Sequence, residues 1–181
     1  MHPRTTELLS HLAAQRGILR CAFEATPAAL RAASPGSERW SIVGIIEHLA
    51  LAEQRIASLL NAGLRKALAD DSLPPLADMT PLLPRMDPTA ILDRERKVFA
   101  REAIHPQGLD ATEAWLALDR ATRSVRELVL AADGLDTSTI RAPHPAFGEL
   151  DFSQWIAFLG YHEARHAAQI RATAATLAER D

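Results

Sequence analysis

Apolar positions in this chain recur mostly at three- and four-residue spacing, the period of an amphipathic helix, with polar or Pro- and Gly-rich stretches between them. Leu8, Leu12, Ile18, Leu19 and Ala22 make the first stripe. They predict a helix capped by Thr5 or Thr6 and running to about Phe23. Thr26-Pro27 predicts a short helical turn to about Ala33, which Ser34-Pro35-Gly36-Ser37 breaks. Ser41 caps a second long helix, to about Leu68, with Trp40 and Ile45 at the spacing of a hydrophobic staple. His48 falls on its inner stripe with Ile45, Ala52 and Leu59, while Glu47, Glu53 and Gln54 fall on other faces.

Pro74, Pro75, Pro81, Pro84 and Pro88 preclude regular helix over 69–88. A connection of that length is either packed over a face or functional. Asp87-Pro88 then starts a third helix, largely charged, to about Ile104, and His105-Pro106-Gln107-Gly108 ends it. Asp110 and Glu113 have capping-box spacing ahead of a fourth helix that turns Trp115, Leu118, Val125, Leu128 and Val129 inward and stops at Asp133-Gly134. Residues 135–149 read as a second loop. Asp151 and Gln154 form another capping box, with Leu150 and Trp155 as its staple. The last helix runs to about Glu179 on a stripe of Trp155, Leu159, His162, His166, Ile170, Ala174 and Leu177. No repeat or second domain is visible. Residues 1–181 therefore read as one all-α domain, a four-helix bundle with a short additional helix and a Pro-rich linker.

Composition narrows the function classes. Apolar residues at 48% and charged residues at 24% sit near the globular average, which excludes a disordered chain. A net charge of −3 leaves no basic footprint, so nucleic acid is not expected as a partner. No apolar run approaches the length of a membrane span or a signal peptide core. Cys21 is the sole cysteine. It excludes an internal disulfide, reads as buried and inert, and fits a reducing cytoplasm.

The chemistry concentrates at the end of the chain. His162 and His166 are one helical turn apart and share a face, from which two ring nitrogens can reach one metal ion. His48 supplies a third imidazole from another inner stripe. Burying three imidazoles is costly unless each has a partner, and one cation partners all three. Glu163 completes a His-Glu-x-x-His pattern. A metalloprotease, however, takes its third ligand downstream, where only Glu179 and Asp181 remain. Glu163 lies about 100° around the helix from His162, either orienting a ligand or solvated. Arg165, on the other flank, reads as a partner for an anionic substrate or as an edge arginine. Glu47 reads as surface or interface. Loop histidines His105 and His144 read as exposed, His2 and His11 show no partner pattern, and Tyr161 and Gln169 flank the pair.

Trp40-Ser41 followed by Glu47-His48-Leu49, then His144-Pro145-Ala146-Phe147-Gly148, then the run from Tyr161 to Ile170 resembles the DinB-like superfamily over about residues 8–178. That resemblance implies a four-helix bundle whose His48, His162 and His166 bind a divalent metal ion, commonly zinc or nickel. It implies a homodimer. It implies a small-molecule substrate too, with members resembling transferases or isomerases that use a low-molecular-weight thiol such as bacillithiol or mycothiol; others are described as metal-dependent hydrolases. Three protein ligands leave a coordination position open, the mark of a catalytic site. The expected function is activation of a thiol or water for attack on a small electrophile. The alternatives are a hydrolase, a non-catalytic stress-related protein whose ion staples the bundle, and a vestigial His cluster. No residue is placed by sequence as a catalytic acid or base.

Overall fold

A computed structural model describes residues 1–37, 39–95 and 101–180. Four long helices make the bundle, and two short ones and a hairpin decorate it. Helix α1 (Pro3–Glu24) is followed by the single turn α2 (Ala28–Arg31) and by α3 (Ile42–Ala69). A short α4 (Thr89–Leu92) precedes α5 (Ala111–Ala131). Strands β1 (Arg141–His144) and β2 (Gly148–Asp151) lead into α6 (Phe152–Ala178).

The start signals of three long helices act as expected. Ser41 Oγ accepts the Gly44 N–H at 3.0 Å, and both Asp110/Glu113 and Asp151/Gln154 close reciprocal capping boxes. Helix α1 begins earlier than Thr5 or Thr6. Pro3 takes the first turn, where its missing N–H costs nothing, and the His2 ring accepts from the Arg4 amide.

Helix α1 lies along α6 and α3 along α5, while α3 also crosses α6. The core forms two adjoining clusters. One holds Leu19, Phe23, Ile45, Leu49, Leu118 and Ile170, the other Leu60, Leu64, Val125, Trp155, Ile156 and Leu159. Three sequence expectations fail by one helical step of about 100°. Leu60, not Leu59, faces inward, so Leu59 is 48% exposed. Ile18 is 40% exposed, while Leu19 beside it is buried as expected, and Cys21 is exposed beside buried Ala22.

The long linker is packed. Arg4 holds Asp78 and the Thr80 carbonyl, and the Glu7 carboxylate accepts the Leu82 and Leu83 amides at 2.7 and 3.2 Å, which straps the linker to α1. Of the expected third helix, the described residues show Thr89–Leu92 and a 3-10 turn at Glu102–Ile104; its stretch 96–100 lies outside the described residues. Arg165 takes the carbonyls of Ile91 and Asp93, which a continuing helix would need for its own amides. The expected loop at 135–149 instead contains the β1–β2 hairpin, in register from Arg141 opposite Asp151 to His144 opposite Gly148. Gly148 has φ of 74°, available to glycine without strain. Trp155 Nε1 donates to the Ala142 carbonyl at 3.1 Å and ties the hairpin to α6.

Candidate metal centre

Helices α3 and α6 cross with His48 on one and His162 and His166 on the other. One ring nitrogen from each lies within 4.8 Å of the other two. His48 is 3% exposed and His166 is 7%, while His162 keeps some accessible surface. The ring centroids of His48 stand 5.4 and 5.0 Å from those of His162 and His166. Trp40 covers His48 at 4.6 Å, and Phe158 stacks on His162 at 5.3 Å with 18° between the planes.

Hydrogen bonds set which nitrogens face inward. His48 Nδ1–H donates to the Ile104 carbonyl at 2.9 Å, and His166 Nδ1–H donates to Gln169 Oε1 at 2.8 Å. Each bond leaves the opposite Nε2 with a lone pair. His162 Nε2 lies 3.0 Å from His166 Nε2, so without a cation one of those two must carry the proton between them. His162 Nδ1 is then a buried nitrogen with no partner. Such orphans are rare and mark a missing ligand or a functional site. Burial keeps all three rings neutral. It holds His48 below the ordinary imidazole range, His162 well below it, and His166 down to about 3. Neutral imidazoles with second-sphere donors are the form that binds a transition-metal dication. The residues present fit a divalent ion.

No acid completes the group: among the described residues, the cluster is the three imidazoles alone. Sequence placed two nearby acids wrongly. Glu47 is buried, 2% exposed, and accepts the amides of Gln107, Gly108 and Leu109, anchoring the turn before α5. Glu163, also 2% exposed, turns away from the histidines to Arg16 of α1, which donates through Nε at 3.1 Å and Nη2 at 2.5 Å. Arg16 also meets Glu53 of α3 at 3.0 Å and Thr122 of α5. Burial pushes the Glu53 carboxyl well up, and Glu163 within hydrogen-bonding reach adds to it. Nothing in the sequence joined Arg16 to this group, because helix pairing is not written in local spacing.

A sequence model of the DinB superfamily matches residues 11–170. The chain belongs to the DinB superfamily. Over 139 residues it is 25% identical to the uncharacterized protein YuaE of Bacillus subtilis (strain 168), covering 76% of this chain and 78% of that one. The crystal structure of TT2238, a four-helix bundle protein, matches with a TM-score of 0.63 and 25% identity over 93% of this chain and 98% of that one. In this DinB-superfamily bundle the other flagged residues fall around the cluster. The His144 ring packs 4.7 Å from Phe158, which itself backs His162, so His144 borders the site without joining it. His105 lies 5.8 Å from Trp40. His11 is buried, donating to the Ala157 carbonyl at 3.2 Å and packing on Tyr161, away from the site. Gln169, three residues past His166, has the only role that spacing could have indicated. No described helix is long and apolar enough to cross a membrane.

Proposed function

We propose that this protein is a metal-dependent enzyme in which His48, His162 and His166 hold a divalent ion, zinc or nickel, and a small thiol or water is activated there to attack an electrophilic small molecule. The observation that carries this reading is the convergence of three neutral imidazoles, two of them buried and locked by Nδ1 donation, the third with one nitrogen that has no partner. When bound, a dication held by neutral ligands supplies Lewis acidity and lowers the pKa of a coordinated thiol or water.

The chain's own groups prepare the site. Ile104 and Gln169 fix the ring orientation of His48 and His166. Trp40 and Phe158 exclude water from two sides. The accessible surface of His162 is the approach for a small molecule, which favours an enzyme over a sealed staple. A thiol transferase is favoured over a hydrolase because, among the described residues, no carboxylate joins the cluster to serve water as a general base.

The test is metal analysis of protein purified without a histidine tag, then conjugation of a reactive electrophile with each candidate thiol. One ion per chain is expected, falling at least tenfold in His48→Ala. Unchanged metal content in that variant ends the three-histidine assignment.

A further inference from the structure

The charges around the cluster are lopsided. A dication on three neutral imidazoles would bring two positive charges with no ligand to offset them. Every buried acid nearby is already engaged: Glu47 by three main-chain amides and Glu163 and Glu53 by Arg16. Arginines stand where counter-charge would be expected. Arg165, one residue before His166, is fixed by donating to the carbonyls of Ile91 and Asp93. That clamp brings Arg94 beside it, and the cations of both act on the His166 ring. Arg101 acts on His144, whose ring backs the Phe158–His162 stack. Asp93 faces Arg165. A dication flanked by such cations gains when its ligand brings negative charge of its own.

We propose that the site selects a ligand bearing a carboxylate or comparable anion beside its metal-binding head, and that Arg165 and Arg94 recognise that anion. The proposal rests on the metal reading above and narrows its substrate class. Arg165 sits within one turn of two ligands on the same helix, and its guanidinium is already oriented, so little rotamer entropy is lost on pairing. Neither arginine is assigned a bond-making step; both position and select.

The experiment uses full-length protein loaded with cobalt(II), whose thiolate charge-transfer absorption reports binding without any assay of turnover. The probes are 3-mercaptopropionate and 2-mercaptoethanol. The charged thiol is expected to bind roughly tenfold tighter or more, the scale of one charge-assisted hydrogen bond. In Arg94→Gln and Arg165→Gln that preference shrinks, while cobalt stoichiometry and 2-mercaptoethanol affinity hold. Arg165→Lys, keeping charge without the fork, retains part of it. Arg94 is exposed, so its variant keeps the test open if Arg165→Gln fails to fold. Equal affinities in the wild type overturn the proposal. So does a preference that survives the double variant, since chelation by the carboxylate would then explain it. Protein that takes up cobalt but neither thiol overturns it as well. Protein that takes up no cobalt fails earlier, at the metal reading itself.

Discussion

Helices α3 and α6 each carry polar side chains on two faces. On one, His48 meets His162 and His166; on the other, Glu53 and Glu163 meet Arg16. Both groups are buried, and both interrupt an apolar core. The carboxylate group carries its own counter-charge, although Arg16 Nη1 makes no hydrogen bond and only faces Asp119 at 3.5 Å. Arg16 spans the two acids, Thr122 donates to Glu53 at 3.0 Å, and all four long helices contribute. The imidazole group does not close: two rings are fixed from outside and the third keeps a buried nitrogen without a partner. A network that holds its own counter-charge reads as architecture, while one of neutral rings with inward lone pairs reads as a place for something else. One step along α6 thus passes from the imidazole cluster, His162, to the strut, Glu163.

Removing the strut should have the largest effect. Arg16→Met leaves two acids buried without their cation and is expected to cost about 3–5 kcal/mol, read as a fall in urea midpoint. If the loss stays under about 1 kcal/mol, the contrast between a closed and an open network is wrong. Glu53 sharpens the same point through pH. Its folded pKa lies above the unfolded value, so the folded protein holds the proton longer, and stability falls as pH rises from about 4.5 through the folded value. Glu53→Gln mimics the protonated acid. The variant should match wild type near about pH 4.5 and exceed it increasingly as pH rises through the folded value in denaturant titrations.

The α1–α6 seam that positions both groups has one close approach. A Cβ on Gly160 would stand 2.3 Å from His11 Nε2. Gly160→Ala must push the ring off the Ala157 carbonyl, at a cost of about 1–3 kcal/mol. Pairing it with His11→Ala should recover much of the loss, and a strictly additive double-mutant cycle would show that the seam is looser than its geometry implies.

What was legible in the sequence divides along the same line. Helix starts depend on residues three apart, so Ser41, Asp110 and Asp151 could be read directly. The four-residue spacing of His162 and His166 is equally local, and His48 stood out because a histidine on an inner stripe needs a partner. Failures came where a second element decides. Glu47 and Glu163 were placed by helical angle alone, and angle cannot tell that a turn of amides or an arginine from α1 waits on that face. The hairpin before α6 was missed because strands of four residues, one containing Pro143, carry too little alternation to outweigh turn signals. Just past α4, the Asp93 carbonyl is taken by Arg165, 72 residues further along the chain, a partner that local spacing does not show.

His144 tests where the border of the open group lies, and its effect is the smallest. Burial, with Arg101 nearby, holds the ring down at about 4, against 6.5 for an unfolded imidazole. The folded state therefore refuses a proton that the unfolded chain accepts. The ring's contribution to stability is present above about pH 6.5 and is lost as pH falls toward 4. His144→Phe keeps the aromatic contacts to Phe147, Trp155 and Phe158 and removes the titration. Measured after chelator treatment, the variant should lose less Tm than wild type between about pH 7 and 5, by about 2–4 °C since the ring is partly exposed. His48 and His166 titrate in both proteins and largely cancel in the difference, while the His144 charge also acts on His162 and is lost with the ring. Parallel melting curves across that range would mean that the His144 ring is hydrated in solution. The border of the open group would then lie at Phe158 rather than at the hairpin.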